Sequence, residues 1–251
     1  MVSERSGFFH YLVTWWVQIF QIEEQNFKKV LKYATDLKEF FLMTFRIEDI
    51  LKYEKPYRTA FVNSLSGFKS ANLIGTISSE GKTNLAVFNS VIHVGANPPL
   101  MGFLMRPVSV ERHTYNNIKE TGHFTINHIN KEIFKQAHQT SARYEKDISE
   151  FDACGLTPEC TKACKAPYVK ESKIKIGLKS LEEQEIKSNG TIFIIGEVLE
   201  VILPDEVISE DGFVDIEKAG TIAISGLDSY HETKRITRLS YVKPGIKSKE
   251  L

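Results

Sequence analysis

The chain has 251 residues, enough for one large all-β domain or two small domains around a sizeable core. Lys plus Arg and Asp plus Glu each number 32, so the formal net charge is zero. No bulk field favours nucleic acid or an anionic membrane, although a local basic pocket for one phosphate stays open. The three cysteines, Cys154, Cys160 and Cys164, are an odd and tightly clustered set. That makes a poor disulfide framework, and C-x5-C-x3-C without a nearby His is no standard zinc pattern. They read as incidental thiols of a reduced, cytoplasmic protein.

Taken in chain order, Phe8 to Phe20 is aromatic and aliphatic and carries both tryptophans, Trp15 and Trp16. It is shorter than the ~20 apolar residues that cross a bilayer, and no small-residue cleavage site follows it. Residues 1–42 are therefore expected to be an appendage outside the core, and 43–251 the working domain, with Met43 resembling an ordinary protein start. Ile47, Ile50, Leu51 and Tyr57 have helical spacing, and Pro56 is expected to end or kink that helix. Asn72 to Ile77 reads as a strand, Ser78 to Lys82 as a turn, and Leu85 to Val94 as a second strand closing a hairpin.

Gly95 to Pro99 forces a loop, and Leu100 to Met105 is a third strand ended by Arg106-Pro107. Ser109 to Glu120 has a helical pattern with Ser109 as the expected cap and Gly122 as the stop. His123 to Ile129 alternates as a strand. Lys131 to Tyr144 reads as a polar helix with Ile133, Phe134 and Ala137 on one face. Lys173 to Leu181 alternates strictly, Thr191 to Leu203 is long and apolar, and Thr221 to Ile224 and Ile236 to Val242 complete the strands. Many strands with few helices predict a mainly β fold: a single barrel with helical decorations.

The block from Asn72 to Asn127 can meet the needs of a flavin mononucleotide. A phosphate dianion wants a cation, hydroxyls and backbone N–H donors, while an isoalloxazine ring wants an apolar wall and a few polar edges. Arg106 ends a strand, and Ser109 and Thr114 flank a helix start where N–H groups are unpaired. Asn84, Asn89 and Ser90 offer polar edges, and Val87, Phe88 and Val91 offer apolar surface. Each has an ordinary alternative: a surface cation for Arg106, turn and strand-end ties for Asn84 and Asn127, structural histidines for His93 and His113. No Ser-His-Asp elbow, P-loop or G-x-G-x-x-G is present, which leaves hydrolase, NTPase and Rossmann readings unsupported.

The same block resembles the flavin reductase-like, FMN-binding split-barrel family, which includes the flavoredoxins. The resemblance rests on Gly81, Asn84-Leu85-Ala86, Phe88-Asn89-Ser90, Pro98-Pro99-Leu100, Arg106, His113-Thr114, Asn117-Ile118 and the run from Gly122 to Asn127. Softer matches are Ser66 to Lys69, Ala137 to Ser141 and Gly226 to Tyr230; Asn89 departs from the second serine that many members carry. The resemblance implies an FMN-binding split β-barrel. It implies phosphate contacts from Arg106, Ser109 and Thr114, ring and ribityl contacts from Asn84, Ala86, Phe88, Asn89 and Ser90, and edge positions for His138 and Ser141. It further implies hydride transfer from NADH or NADPH to the flavin, a homodimer, and a partner monooxygenase or other acceptor of reduced flavin. A flavoredoxin-type electron-transfer protein without reductase activity, and a split-barrel module for another ligand such as haem, are the alternatives.

Overall fold

The computed structural model describes residues 42–251. Expectations for residues 1–41, the aromatic run included, lie outside the described residues. The chain divides into two compact units, one ending at Glu54 and the other running from Lys55 to Leu251. In the first, α1 (Ile47–Leu51) is opened by Arg46, whose N–H donates to the Asp49 carboxylate at 3.1 Å.

The second unit opens with α2 (Lys55–Ser64). The expected single helix is thus two, and Pro56 stands inside the first turn of α2 rather than at the end of α1. A proline costs nothing in a first turn, because its missing N–H would have had no partner there. The strands are β1 (Lys69–Ser70), β2 (Asn72–Ile77), β3 (Thr83–Phe88), β4 (Ile92–Ala96), β5 (Pro99–Met105) and β6 (His123–His128). After them come β7 (Pro158–Glu159), β8 (Tyr168–Val169), β9 (Lys175–Ile186), β10 (Thr191–Ile202), β11 (Ala223–Ser225) and β12 (Ser229–His231). Helices α3 (His113–Thr121), α4 (Phe134–Gln139) and α5 (Glu150–Cys154) decorate them. The fold is mainly β, as the patterning predicts.

Seven strands form one antiparallel sheet in the order β3-β2-β6-β9-β10-β5-β4. Its two edges are consecutive in the chain. Phe88 and Ile92 lie four residues apart, which an extended chain covers in at most ~14 Å. Seven strands laid flat would hold their edges ~28 Å apart. The sheet must therefore curl until β3 and β4 meet, and the short connection sits at the seam. Ser90 fastens that seam: its hydroxyl donates to Leu104 O at 3.0 Å and accepts from Leu104 N at 3.2 Å. Register shifts between Ile195 and Gly196 and between Val198 and Glu200 bend β10 on the far side.

Period-two alternation sorts the apolar residues into two cores. Ile74, Phe103, Phe124, Ile126, Leu178 and Ile194 fill one, against Ile118 of α3. Leu73, Leu85, Ile133, Ala137, Phe151 and Ile224 form the other, under α4 and α5. In the first, Phe103 meets Phe88 at 4.9 Å and Phe124 at 5.4 Å, both edge-to-face. Such pairs add about 0.5–1.5 kcal/mol beyond area burial.

Several element boundaries differ from the sequence expectation. Leu85 to Val94 is two strands interrupted at Asn89–Val91, because the chain crosses the seam there. The helix expected over 131–144 is cut to Phe134–Gln139. The expected strand from Ile236 to Val242 is absent. That stretch is exposed, with Ile236 at 99% and Tyr241 at 87%, and pairs only through an isolated bridge between Leu239 and Glu250. It is tied instead by Arg235 to Asp215 and by Arg238 over the Phe213 ring. The cysteines fall in two settings: Cys154 and Cys164 are buried and Cys160 is exposed, all as free thiols.

Candidate functional site

Strand β5 ends at Met105, and the chain runs through a largely exposed loop to α3. The helix starts later than the Ser109 pattern suggests. Arg112, in an extended conformation (φ −131°, ψ 97°), is the residue that caps it, and no side chain bonds the first-turn N–H groups. The first turn holds no acidic residue. Its outward N–H groups and the helix dipole together favour an anion. Ser109 is exposed and four residues upstream of His113, so its capping role is corrected: that position belongs to Arg112. At the other end Gly122 takes φ 71°, a left-handed conformation open to glycine, and its N–H donates to Ile118 O at 2.8 Å.

Arg112 is half-buried, and its Nε donates to Pro107 O at 3.4 Å. Its guanidinium is held below the ordinary arginine value by burial first, and then by the positive charges of Arg106 and Arg143. Among the described residues none of these three arginines forms an ion pair with a carboxylate. Arg106 and Arg143 thus lie near enough to act on Arg112, beside a helix N-terminus whose first-turn N–H groups no side chain bonds, an arrangement that favours an anion. Arg106 was legible in the sequence as a strand-end cation. Arg112 carried a weaker signal, an arginine directly before His113-Thr114, and Arg143 carried none.

Helix α3 is fixed against the sheet by a buried polar cluster. Asn84 Nδ2 donates to Thr114 Oγ1 at 3.0 Å and lies 3.3 Å from Thr76 Oγ1, to which Asn117 Nδ2 also donates at 3.1 Å. Asn84 and Thr114 are 6% and 5% exposed, so Asn84 spends its amide on holding β3 to α3. Thr114 sits in the first turn with its hydroxyl oxygen already accepting one bond.

Ala86 and Phe88 follow Asn84 on the same face of β3, and Phe88 lies against the inner core. At the seam, Asn89 Nδ2 donates to Gly226 O at 2.9 Å, which ties the end of β3 to the turn between β11 and β12. His138 is exposed at the end of α4, with Nδ1 3.1 Å from the Tyr230 hydroxyl. Ser141 is exposed and donates its N–H to His138 O at 3.0 Å.

The segment that carries Arg143 is anchored on both sides. Gln139 Nε2 donates to the Tyr144 hydroxyl at 3.2 Å. Beyond it, Ser149 Oγ meets Thr83 Oγ1 at 2.7 Å, and the Glu150 carboxylate accepts from Leu85 N at 2.9 Å. Burial pushes the Glu150 carboxyl above the ordinary glutamate value. The structure thus gathers Arg106, Arg112, Arg143 and Thr114 at one end of the β3–α3 unit, and Asn89 and Ser90 at the seam.

Residues 65–218 match the family model described as the flavin reductase like domain. A candidate flavin reductase with a split barrel domain from Shewanella frigidimarina NCIMB 400 is 53% identical in sequence. That match covers 80% of this chain and 100% of that one, with a TM-score of 0.77. An uncharacterized protein of Aquifex aeolicus (strain VF5) is 30% identical over 147 residues, which is 58% of this chain and 74% of the relative. The flavoredoxin of Desulfovibrio vulgaris (Miyazaki F) shares the fold at 23% identity and a TM-score of 0.61, over 68% of this chain and 90% of that one. The curled seven-stranded sheet is that of the split-barrel flavin reductase-like fold. The chain belongs to the flavin reductase like domain family.

Proposed function

We propose that the protein binds FMN and works as an NAD(P)H-dependent flavin oxidoreductase. The observation that carries the reading is the arginine cluster at the open start of α3. A phosphate monoester carries roughly −1.5 to −2 at neutral pH, and Arg106, Arg112 and Arg143, none in an ion pair among the described residues, would meet it with positive charge. Thr114 and Ser109 add hydroxyls from the first turn and the loop before it. In this reading the ribityl chain runs along β3 towards the seam. Ala86 and Phe88 supply apolar surface, Asn89 and Ser90 line the ring end, and His138 and Ser141 stand at the rim. Asn84 acts by holding β3 against α3.

FMN, when bound, would supply the redox chemistry as an acceptor of hydride from a reduced nicotinamide nucleotide. The chain binds, orients and excludes water; a general acid is not required. Freshly purified protein is expected to be yellow and to lose its visible flavin band when NADH or NADPH is added without oxygen. A yellow protein whose band survives both nucleotides would instead be a flavoredoxin-type carrier, and a colourless protein that ignores added FMN would sink both readings.

Three finer points belong to the same proposal. The outer face of the seam strands is apolar and open: Ile92 is 53% exposed and Leu104 40%, beside the Phe193 ring that lies over Gly102. A second copy of the chain would cover it and give a homodimer, which sedimentation at micromolar concentration tests. Among the described residues no helix is long and apolar enough to cross a membrane, and the free thiols fit a reducing cytoplasm. Lastly, a chain beginning at Met43 is expected to fold and bind FMN; loss of either would make residues 1–42 part of the working domain.

A further inference from the structure

The stretch from Ile236 to Val242 has the apolar character of a strand, yet Ile236, Leu239, Tyr241 and Val242 all stand in solvent. Its root is held firmly, with the Arg238 guanidinium 4.0 Å from the centre of the Phe213 ring. Beyond that root the tail doubles back. Ser240 N donates to Lys249 O at 2.8 Å and Leu251 N to Arg238 O at 3.0 Å, around the isolated bridge between Leu239 and Glu250. Along a strand the backbone groups point alternately to its two sides. The N–H and C=O groups of Leu239 and Tyr241 therefore point away from the returning chain, and they have no partner among the described residues. A two-stranded hairpin is marginal by itself in water and gains from a third strand.

A free edge stands in the main sheet. Strand β9 pairs with β10 from Lys175 to Ile186, but with β6 only from Lys175 to Lys179. Leu181 to Ile186 thus has no neighbouring strand on its second side among the described residues, and all six residues are exposed. An open edge is a template for another strand, and charge is one way to guard it. Here the charge is of one sign: Glu182, Glu183 and Glu185 repel a like segment and favour a basic one. Glu183 is taken up by Lys119 at 3.1 Å. Glu182 and Glu185 form no ion pair among the described residues, and neither do Lys243, Lys247 and Lys249 of the tail.

The two edges do not pair within one chain. The edge of β9 also continues the open face of the seam strands, since Leu104 stands across from Phe193 and Phe193 across from Gln184. A second copy seated on that face comes up to the free edge.

We infer that the Ile236–Val242 strand of one copy adds to the Leu181–Ile186 edge of β9 in a second copy, so that the basic tail is an arm clasping the acidic edge of its partner. Main-chain hydrogen bonds give such strand addition its affinity, and the side chains give it specificity. The inference rests on the homodimer proposed above and names the segments that hold it.

The test uses the full-length protein. Sedimentation sets the dimer midpoint, and hydrogen exchange is followed below and above it. Amides of residues 181–186 and 236–242 should both exchange more slowly in the dimer. Glu182→Lys with Glu185→Lys should raise the dimer Kd roughly tenfold at low salt, because a two-fold dimer repeats each exposed ion pair. Lys243→Glu with Lys247→Glu and Lys249→Glu should do the same, and the chain carrying all five changes should return to within roughly threefold of the wild type. A dimer in which either segment stays unprotected, or whose Kd neither reversal moves, overturns the inference while the homodimer stands. A chain that stays monomeric at every concentration overturns both.

Discussion

At the start of α3, Arg106 and Arg143 each act on Arg112, and none of the three forms an ion pair with a carboxylate among the described residues. Along β3 and at the seam, Asn84, Asn89 and Ser90 have each found a partner inside the protein: Thr114 and Thr76, Gly226, and Leu104. Of these, Arg106, Asn84, Asn89 and Ser90 stand out in the sequence as polar residues in a suggestive order, and Arg112 and Arg143 do not. The structure separates them by whether their bonding capacity is already used. A buried amide with two protein partners is scaffold, since removing it strands those partners. Like charges held together without a counter-ion cost free energy in the free protein, which an incoming anion recovers.

The contrast is sharpest in substitutions that should move different observables. The largest effect is expected from Arg112→Ala. Loss of a charged hydrogen bond should weaken FMN by roughly 1.5–3 kcal/mol, with riboflavin, which lacks the phosphate, unaffected; Arg106→Ala should fall in the same range. Fluorescence titration with both flavins measures this, and equal losses for the two would move the arginines away from the phosphate.

Asn84→Ala should act on stability. Stranding Thr114, while Thr76 keeps its bond from Asn117, costs about 1–3 kcal/mol, read as a lower urea midpoint. A normal midpoint with weakened FMN binding would place Asn84 on the ligand after all. Ser90→Ala should cost less, about 0.5–1.5 kcal/mol, because its loss opens one bridge across the seam while the β5 ladder persists.

The smallest effect is a pH dependence. Burial raises the Glu150 carboxyl above the ordinary glutamate value. As pH rises from that ordinary range, the unfolded chain therefore ionises first. The native state then holds more protons than the unfolded state, and stability falls as pH rises until the native carboxyl has also ionised. Glu150→Gln keeps an oxygen for Leu85 N–H and removes the titration. Its thermal midpoint should exceed that of the wild type on the alkaline side of this window by about 2–4 °C, the shift produced by 1 kcal/mol in a chain of this size. Parallel midpoint–pH curves would show that burial does not perturb this carboxyl.

Much of the architecture could be read from local pattern. The strand at Asn72–Ile77 has the expected bounds, and β5, β6 and β10 lie within a residue or so of theirs, because alternation and turn residues are local properties. Helix starts were less legible: Ser109 has the chemistry of a cap, yet the chain turns at Val108–Ser109 and enters the helix only after Arg112. The strand expected at Ile236 to Val242 failed for a different reason, since an apolar run becomes a strand only when a free edge is within reach.

What the sequence by itself determined is the inventory: a mainly β chain, a family-like block from Asn72 to Asn127, a strand-end arginine, and the glycine that stops α3. Tertiary structure decided the use of that inventory. Curling the sheet until β3 and β4 meet put Asn89 and Ser90 to work on the seam. Anchoring the Thr140–Ser149 segment on α4 and β3 brought Arg143 to Arg112, across 31 positions of chain. Spacing along the chain records periodicity and turn chemistry; it does not record which charges, distant in sequence, end up facing each other without a partner.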